Sequence, residues 1–81
     1  MRKATTAQEL SHHLREIRTS QDVSQSHIAK KVGLRQDTVS AFELHGESTK
    51  LATLFKILSA LNLEIHIVPR NTKNTEWQEE W

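Results

Sequence analysis

The twenty residues Ser24–Glu43, "SQSHIAKKVGLRQDTVSAFE", decide how this chain is read. Ser24 is a good helix N-cap, and Ile28, Ala29 and Val32 follow it at helical spacing. Gly33 then stands where a helix C-terminus needs a positive φ, which glycine adopts at the lowest cost. A second run, from about Arg35 to Leu44, puts Val39 and Phe42 on one face. Two short helices joined by so tight a turn can pack nearly perpendicular, with the second exposed. Such packing needs a small residue where the helices touch, glycine in the turn and apolar residues behind the exposed helix. Ala29, Gly33 with Leu34, and Val39 with Phe42 meet those needs, and Ile28 and Val32 complete the packing face. An exposed helix fits the major groove of DNA, where its first residues reach base edges.

Towards the N-terminus, Thr6 and Glu9 form a capping box that opens a helix ending near Ser20. Leu10, Leu14 and Ile17 are its buried stripe. Towards the C-terminus, "HGEST" reads as a loop, with Ser48 or Thr49 as the next cap. A fourth helix, about Leu51 to Leu61, turns Leu51, Leu54, Phe55, Leu58 and Leu61 inward. The period then changes to two in "LEIHIV", Leu63–Val68, and Pro69 ends the run, as for a strand. The competing reading carries the fourth helix through this segment. No second strand candidate exists, and a lone strand leaves its backbone donors and acceptors unpaired. The simplest closed solution is a homodimer in which Leu63–Val68 pairs antiparallel with its copy. Its interface then comprises Leu63, Ile65, His66, Ile67 and Val68. Three regions follow: a helix-turn-helix domain at 1–62, a dimerisation strand at 63–69 and a flexible acidic tail at 70–81.

Composition supports one small domain. The 81 residues include 36% hydrophobic ones, 2 Gly, 1 Pro and no Cys, so the core is small and a second subunit would help complete it. Without cysteine, disulfides and thiolate metal sites are excluded, and a reducing cytoplasm is the simplest location. "MRKATTAQEL" has no apolar core of a signal peptide, and Lys56 interrupts the longest apolar segment, so no membrane span is expected. Net charge is only +1, but its distribution is uneven. Residues 1–56 hold nine Lys/Arg against six Asp/Glu, whereas residues 57–81 hold two against four. The basic part coincides with the helix pair and suits a polyanion.

The stretch Ser24–Glu43 resembles the helix-turn-helix of the Cro/C1-type (XRE) repressor family, with alanine, glycine and valine at the family's spacing. The likeness covers about Glu9 to Leu61. A narrower resemblance, to HipB-type antitoxins, runs on through "STKLATLFKILSALNLEIHIV" to the acidic tail with its terminal tryptophan. It implies a mostly α, four- to five-helix, lambda-repressor-like domain plus one C-terminal β-strand paired across a homodimer. It also implies an autorepressor of a palindromic double-stranded operator, associated with the nucleoid. A toxin partner is implied too, a HipA-like serine/threonine kinase in one piece or divided over two proteins. Trp81 carries over as a toxin contact; Trp77 has no secure counterpart and is the second candidate.

For DNA, family members place a phosphate contact at the start of the second helix, here Gln25. Arg35 has the geometry to pair with guanine O6 and N7, and Gln36 with adenine N6 and N7. Asp37, Ser40 and Ala41 share the outward face, and Thr38 and Lys31 are candidate backbone contacts. Asp37 departs from the pattern, since a carboxylate is repelled by phosphate unless it accepts from cytosine or pairs with Arg35. Catalysis has no support in the residue inventory: five histidines are present, but no HExxH spacing, cysteine pair or glycine-rich phosphate loop. No metal or cofactor is therefore expected. A plain repressor without a toxin is the alternative reading, and "EWQEEW" is what distinguishes the two.

Overall fold

The computed structural model describes residues 2–70, which form four α-helices and one 3-10 turn. They are α1 (Ala7–Ser20), α2 (Gln25–Val32), α3 (Gln36–Leu44), the turn Gly46–Ser48, and α4 (Leu51–Ala60). The starts of α1 and α2 follow from their caps. The Thr6 hydroxyl accepts from Glu9 N at 3.0 Å, and the Glu9 carboxylate accepts from Thr5 N at 2.7 Å. The Ser24 hydroxyl accepts from His27 N at 3.0 Å. The expected cap of α4 is different. Its N-cap is Lys50, without a side-chain cap bond, because Gly46–Ser48 winds into the 3-10 turn and Ser48 Oγ donates back to the His45 carbonyl.

Three helices end in the same way. After α2, Gly33 has φ 71° and Leu34 N donates to the Ala29 carbonyl at 2.8 Å. After α4, Asn62 has φ 61° and Leu63 N donates to the Leu58 carbonyl at 2.9 Å. Asp22 does the same after α1, with φ 59°. This is the Schellman closure, in which a left-handed residue returns the chain onto the last free carbonyls. Asp and Asn tolerate that conformation better than other non-glycine residues.

The core consists of Leu14, Ile28, Ala29, Val39, Phe42, Leu54, Ile57, Leu58, Ala60 and Leu61, all buried. Leu10, Ile17, Val23, Val32, Leu34 and Leu63 pack at its edge. On α4 the expected inward set is corrected at two positions. Leu51 is 68% and Phe55 51% exposed, while Ile57 is 2% exposed. At 100° per residue the buried face centres between Leu54, Ile57, Leu58 and Leu61, leaving Leu51 about 70° and Phe55 about 110° from that centre. Gly46 fills a notch against α1: a Cβ there would lie 2.8 Å from the Ala7 carbonyl oxygen and from Ser11 Cβ.

Helix α4 stops at Ala60, so the segment expected as a strand does not continue it. Residues 63–70 run non-helical, and no strand ladder forms among the described residues. Beyond the half-buried Leu63, Ile65, Ile67 and Val68 are exposed. Trp77 and Trp81, expected as toxin contacts, lie outside the described residues.

Candidate nucleic-acid interface

The interface is built around the N-terminus of α3. Arg35 is its N-cap residue, in extended conformation, and its guanidinium, which can only donate, makes no cap bond to the helix N–H groups. It lies 3.5 Å from the Asp37 carboxylate, and both side chains are about four-fifths exposed (82% and 79%). Asp37 thus has an account that needs no base. It sits in the first turn, where the helix dipole favours an acid, and it pairs with Arg35.

Gln36 is exposed and is held from behind. Its amide nitrogen donates to Gln25 Oε1 at 2.7 Å, and the Gln25 nitrogen donates to Glu43 Oε1 at 2.8 Å. Glu43 in turn accepts from Arg18 Nε at 2.7 Å and Nη2 at 3.1 Å, in a two-pronged pair. The Arg18 and Glu43 side chains are only 12% and 6% exposed. Arg18 Nη1 also donates to the Val23 carbonyl at 2.8 Å, tying the α1–α2 connection into the same cluster. One largely buried ion pair therefore joins α1 to α3 and sets the amide of Gln25, which sets that of Gln36. Because the carboxylate can only accept, Gln25 must turn its nitrogen inward and its oxygen towards Gln36.

Beside α3 runs a cleft of about 520 Å³. Arg35, Asp37, Thr38 and Ala41 form one wall, and Ser48, Thr49, Lys50 and Thr53 form the other. Lys50, in this second wall, is also the N-cap residue of α4, whose first N–H groups have no side-chain cap. Free helix N–H groups beside a cation suit a phosphate.

Of the residues expected at the interface, Gln25 and Gln36 are brought together by hydrogen bonds, and Arg35, Asp37, Thr38 and Ala41 share the cleft wall. Ser40 is half-buried on the same helix. Lys31 lies apart: its ammonium is 3.4 Å from the Ala60 carbonyl, and it stands about 120° around α2 from Gln25. Sequence reasoning missed Arg18 and Glu43, and also the Ser48–Thr53 wall. A signal for Glu43 was present. It follows Phe42 directly and lies one turn after Val39, next to the buried face, where a carboxylate requires a partner.

The helix-turn-helix family matches residues 14–68 of this chain. Antitoxin HipB of Escherichia coli (strain K12) is 35% identical over 77 residues, covering 85% of this chain and 88% of HipB. Antitoxin HigA1 of Mycobacterium tuberculosis (strain ATCC 25618 / H37Rv) is 37% identical over 65 residues, which is 80% of this chain but 44% of HigA1. Among solved structures, a chain of the HipA-HipB-O2-O3 complex superposes with a TM-score of 0.85 at 32% identity, covering 88% of this chain and 100% of that one. The HipB-O4 20mer complex gives the same values. A capped helix pair around Gly33, an exposed α3 and likeness to HipB over nearly its whole length place this chain in the helix-turn-helix family, among the HipB-type antitoxins.

Proposed function

We propose that this chain is a DNA-binding antitoxin and transcriptional autorepressor, which binds a palindromic operator as a homodimer and holds a HipA-like toxin inactive. The observation that carries this reading is the buried Arg18–Glu43 pair, which presents Gln25 and Gln36 together at the exposed start of α3 in a HipB-like chain. The relatives supply the partners. HipB is found in complex with a 20mer, which we read as operator duplex, and with HipA.

In this reading Arg35 and Gln36 read base edges, with Asp37, Ser40 and Ala41 along the groove-facing side. The backbone N–H groups at Gln25 and the start of α2, Thr38 and the Lys50 end of α4 hold phosphates, and Lys31 is at most a peripheral contact. Leu63, Ile65, His66, Ile67 and Val68 pair across the dimer. Trp81, with Trp77 second, contacts the toxin. No helix among the described residues is long and apolar enough to cross a membrane, and operator binding would keep the protein at the nucleoid in the cytoplasm.

A gel shift on the gene's own upstream DNA tests the readout. Arg35→Ala and Gln36→Ala should each lose about 1–3 kcal/mol of preference for operator over random DNA. Lys50→Ala should weaken both equally and lower the salt slope by about one. Equal operator affinity of wild type and the Arg35/Gln36 double variant would refute the assignment. Copurification with the neighbouring gene products tests the toxin.

A further inference from the structure

Arg35 and Asp37 put a cation and an acid side by side at the exposed tip of α3. Arg35 Nη2 lies 3.5 Å from Asp37 Oδ2, and the two side chains are 82% and 79% exposed. An ion pair so open to water adds little to stability. On a face that approaches DNA, the carboxylate is also repelled by phosphate. The helix dipole favours an acid in this first turn, but any position of the turn would serve, so the dipole does not explain an acid beside Arg35. What remains is its effect on Arg35 itself.

A free guanidinium at such a tip has two kinds of acceptor within reach of a duplex. Phosphate oxygens are charged and present along every sequence, whereas guanine O6 and N7 are neutral and present only at guanine. An unpaired arginine gains most from phosphate and so adds affinity without discrimination. Asp37 changes that balance in two ways. It offsets the charge that draws Arg35 to the DNA backbone. It also holds one end of a long side chain whose conformations would otherwise be fixed only on binding. The contact is made by Nη2, and a guanidinium has five N–H groups, so enough remain for a two-pronged bond to a base.

The opposite wall of the cleft is arranged the other way. Lys50 stands there with Ser48, Thr49 and Thr53, and among the described residues no carboxylate forms an ion pair with it. Its ammonium keeps the full charge that phosphate attracts. One cleft therefore holds two cations of different kinds, and the one with an acid beside it is the one placed to meet bases.

We infer that Asp37 is a positioning residue for base readout: by pairing with Arg35 it withholds that guanidinium from phosphate and presents it to guanine. The acid thus raises discrimination while lowering overall affinity for DNA. The inference rests on the reading of Arg35 as a base contact and adds the residue that makes this contact selective. A simple repulsive charge would act differently, weakening every duplex alike.

Titration of the full chain with its gene's own upstream DNA and with a random duplex of equal length, over a series of salt concentrations, tests this. Circular dichroism checks folding. Asp37→Asn keeps the shape of the side chain and removes its charge. It should bind random DNA more tightly, with a salt slope steeper by about one per subunit. Its preference for the operator should fall about three- to tenfold. In the Arg35→Ala background the same change should leave that preference within about twofold, because no guanidinium is left to direct. Asp37→Ser should behave like Asp37→Asn and serves if that variant unfolds. If Asp37→Asn alters both duplexes by one factor, the acid acts only through the helix or the general field, and the inference is overturned. A loss of preference that persists in the Arg35→Ala background overturns it in favour of direct reading of cytosine by Asp37. If Arg35→Ala loses the preference and Asp37→Asn keeps it, the inference fails while the base contact by Arg35 stands. A wild-type chain that does not prefer its operator overturns both.

Discussion

Glu43→Ala is the most informative single change this structure suggests. Glu43 accepts two hydrogen bonds from Arg18 and one from Gln25, and its side chain is 6% exposed. Removing it leaves Arg18, whose side chain is 12% exposed, without its counter-ion. Breaking a buried pair from one side costs about 3–5 kcal/mol, against a total of about 4–12 kcal/mol for a chain of this length. At about 4–8 °C per kcal/mol the melting temperature should fall by at least about 12 °C. Replacing both partners, Arg18→Met with Glu43→Leu, removes the uncompensated charge and should recover most of the loss. Stability and DNA binding then separate. In the double variant Gln25 has lost its inward acceptor, so Gln36 is no longer aligned and operator affinity should stay about tenfold down, the worth of one hydrogen bond. Thermal melts and operator titrations on the three proteins measure both effects. A single variant melting within a few degrees of wild type would refute the burial argument. A stable double variant with full operator affinity would refute the claim that the ion pair positions the reading amides.

Gly46→Ala should cost about 1–3 kcal/mol in denaturant melts, because the new methyl meets the Ala7 carbonyl and Ser11 Cβ at 2.8 Å in a packed notch. Asn62→Val should cost about 1–2 kcal/mol, since a β-branched residue resists φ 61°, and should also redirect the segment after α4. The carboxyl of Glu9 is held below its usual value of 4.5, first by the Thr5 backbone N–H and then by the Thr5 hydroxyl. A lowered folded pKa means that its contribution is complete above about 4.5 and is lost as pH falls through the depressed value. An NMR titration should show the Thr5 amide shifting in that acidic window, and Glu9→Gln should abolish the transition. Deleting Glu76–Trp81 should weaken the toxin complex in pull-downs and leave operator affinity unchanged; retained toxin binding would remove the tail's assigned role.

Much of the architecture can be read from local chemistry. Thr6 with Glu9, Ser24, and Gly33 each mark a helix end through bonds made within a few residues, so the ends of α1 and α2 stand where the sequence puts them. The apolar spacing of Ile28, Ala29, Val39 and Phe42 likewise defines two short packed helices, and the exposed start of α3 follows from it. The other two left-handed closures, at Asp22 and Asn62, were less legible because Asp and Asn adopt that conformation only in context. Tertiary structure decided what depends on a distant neighbour. Helical periodicity says that α4 has an apolar face, but with leucine, isoleucine and phenylalanine spread over an arc of about 160° it does not set which part of that arc turns inward. Packing against α2 chose Ile57 over Leu51 and Phe55. The Arg18–Glu43 pair spans 25 residues, and no local pattern couples those two side chains. Their meeting follows only once α3 has docked on α1, where low exposure makes an ion pair with satisfied hydrogen bonds the state that avoids a lone buried charge.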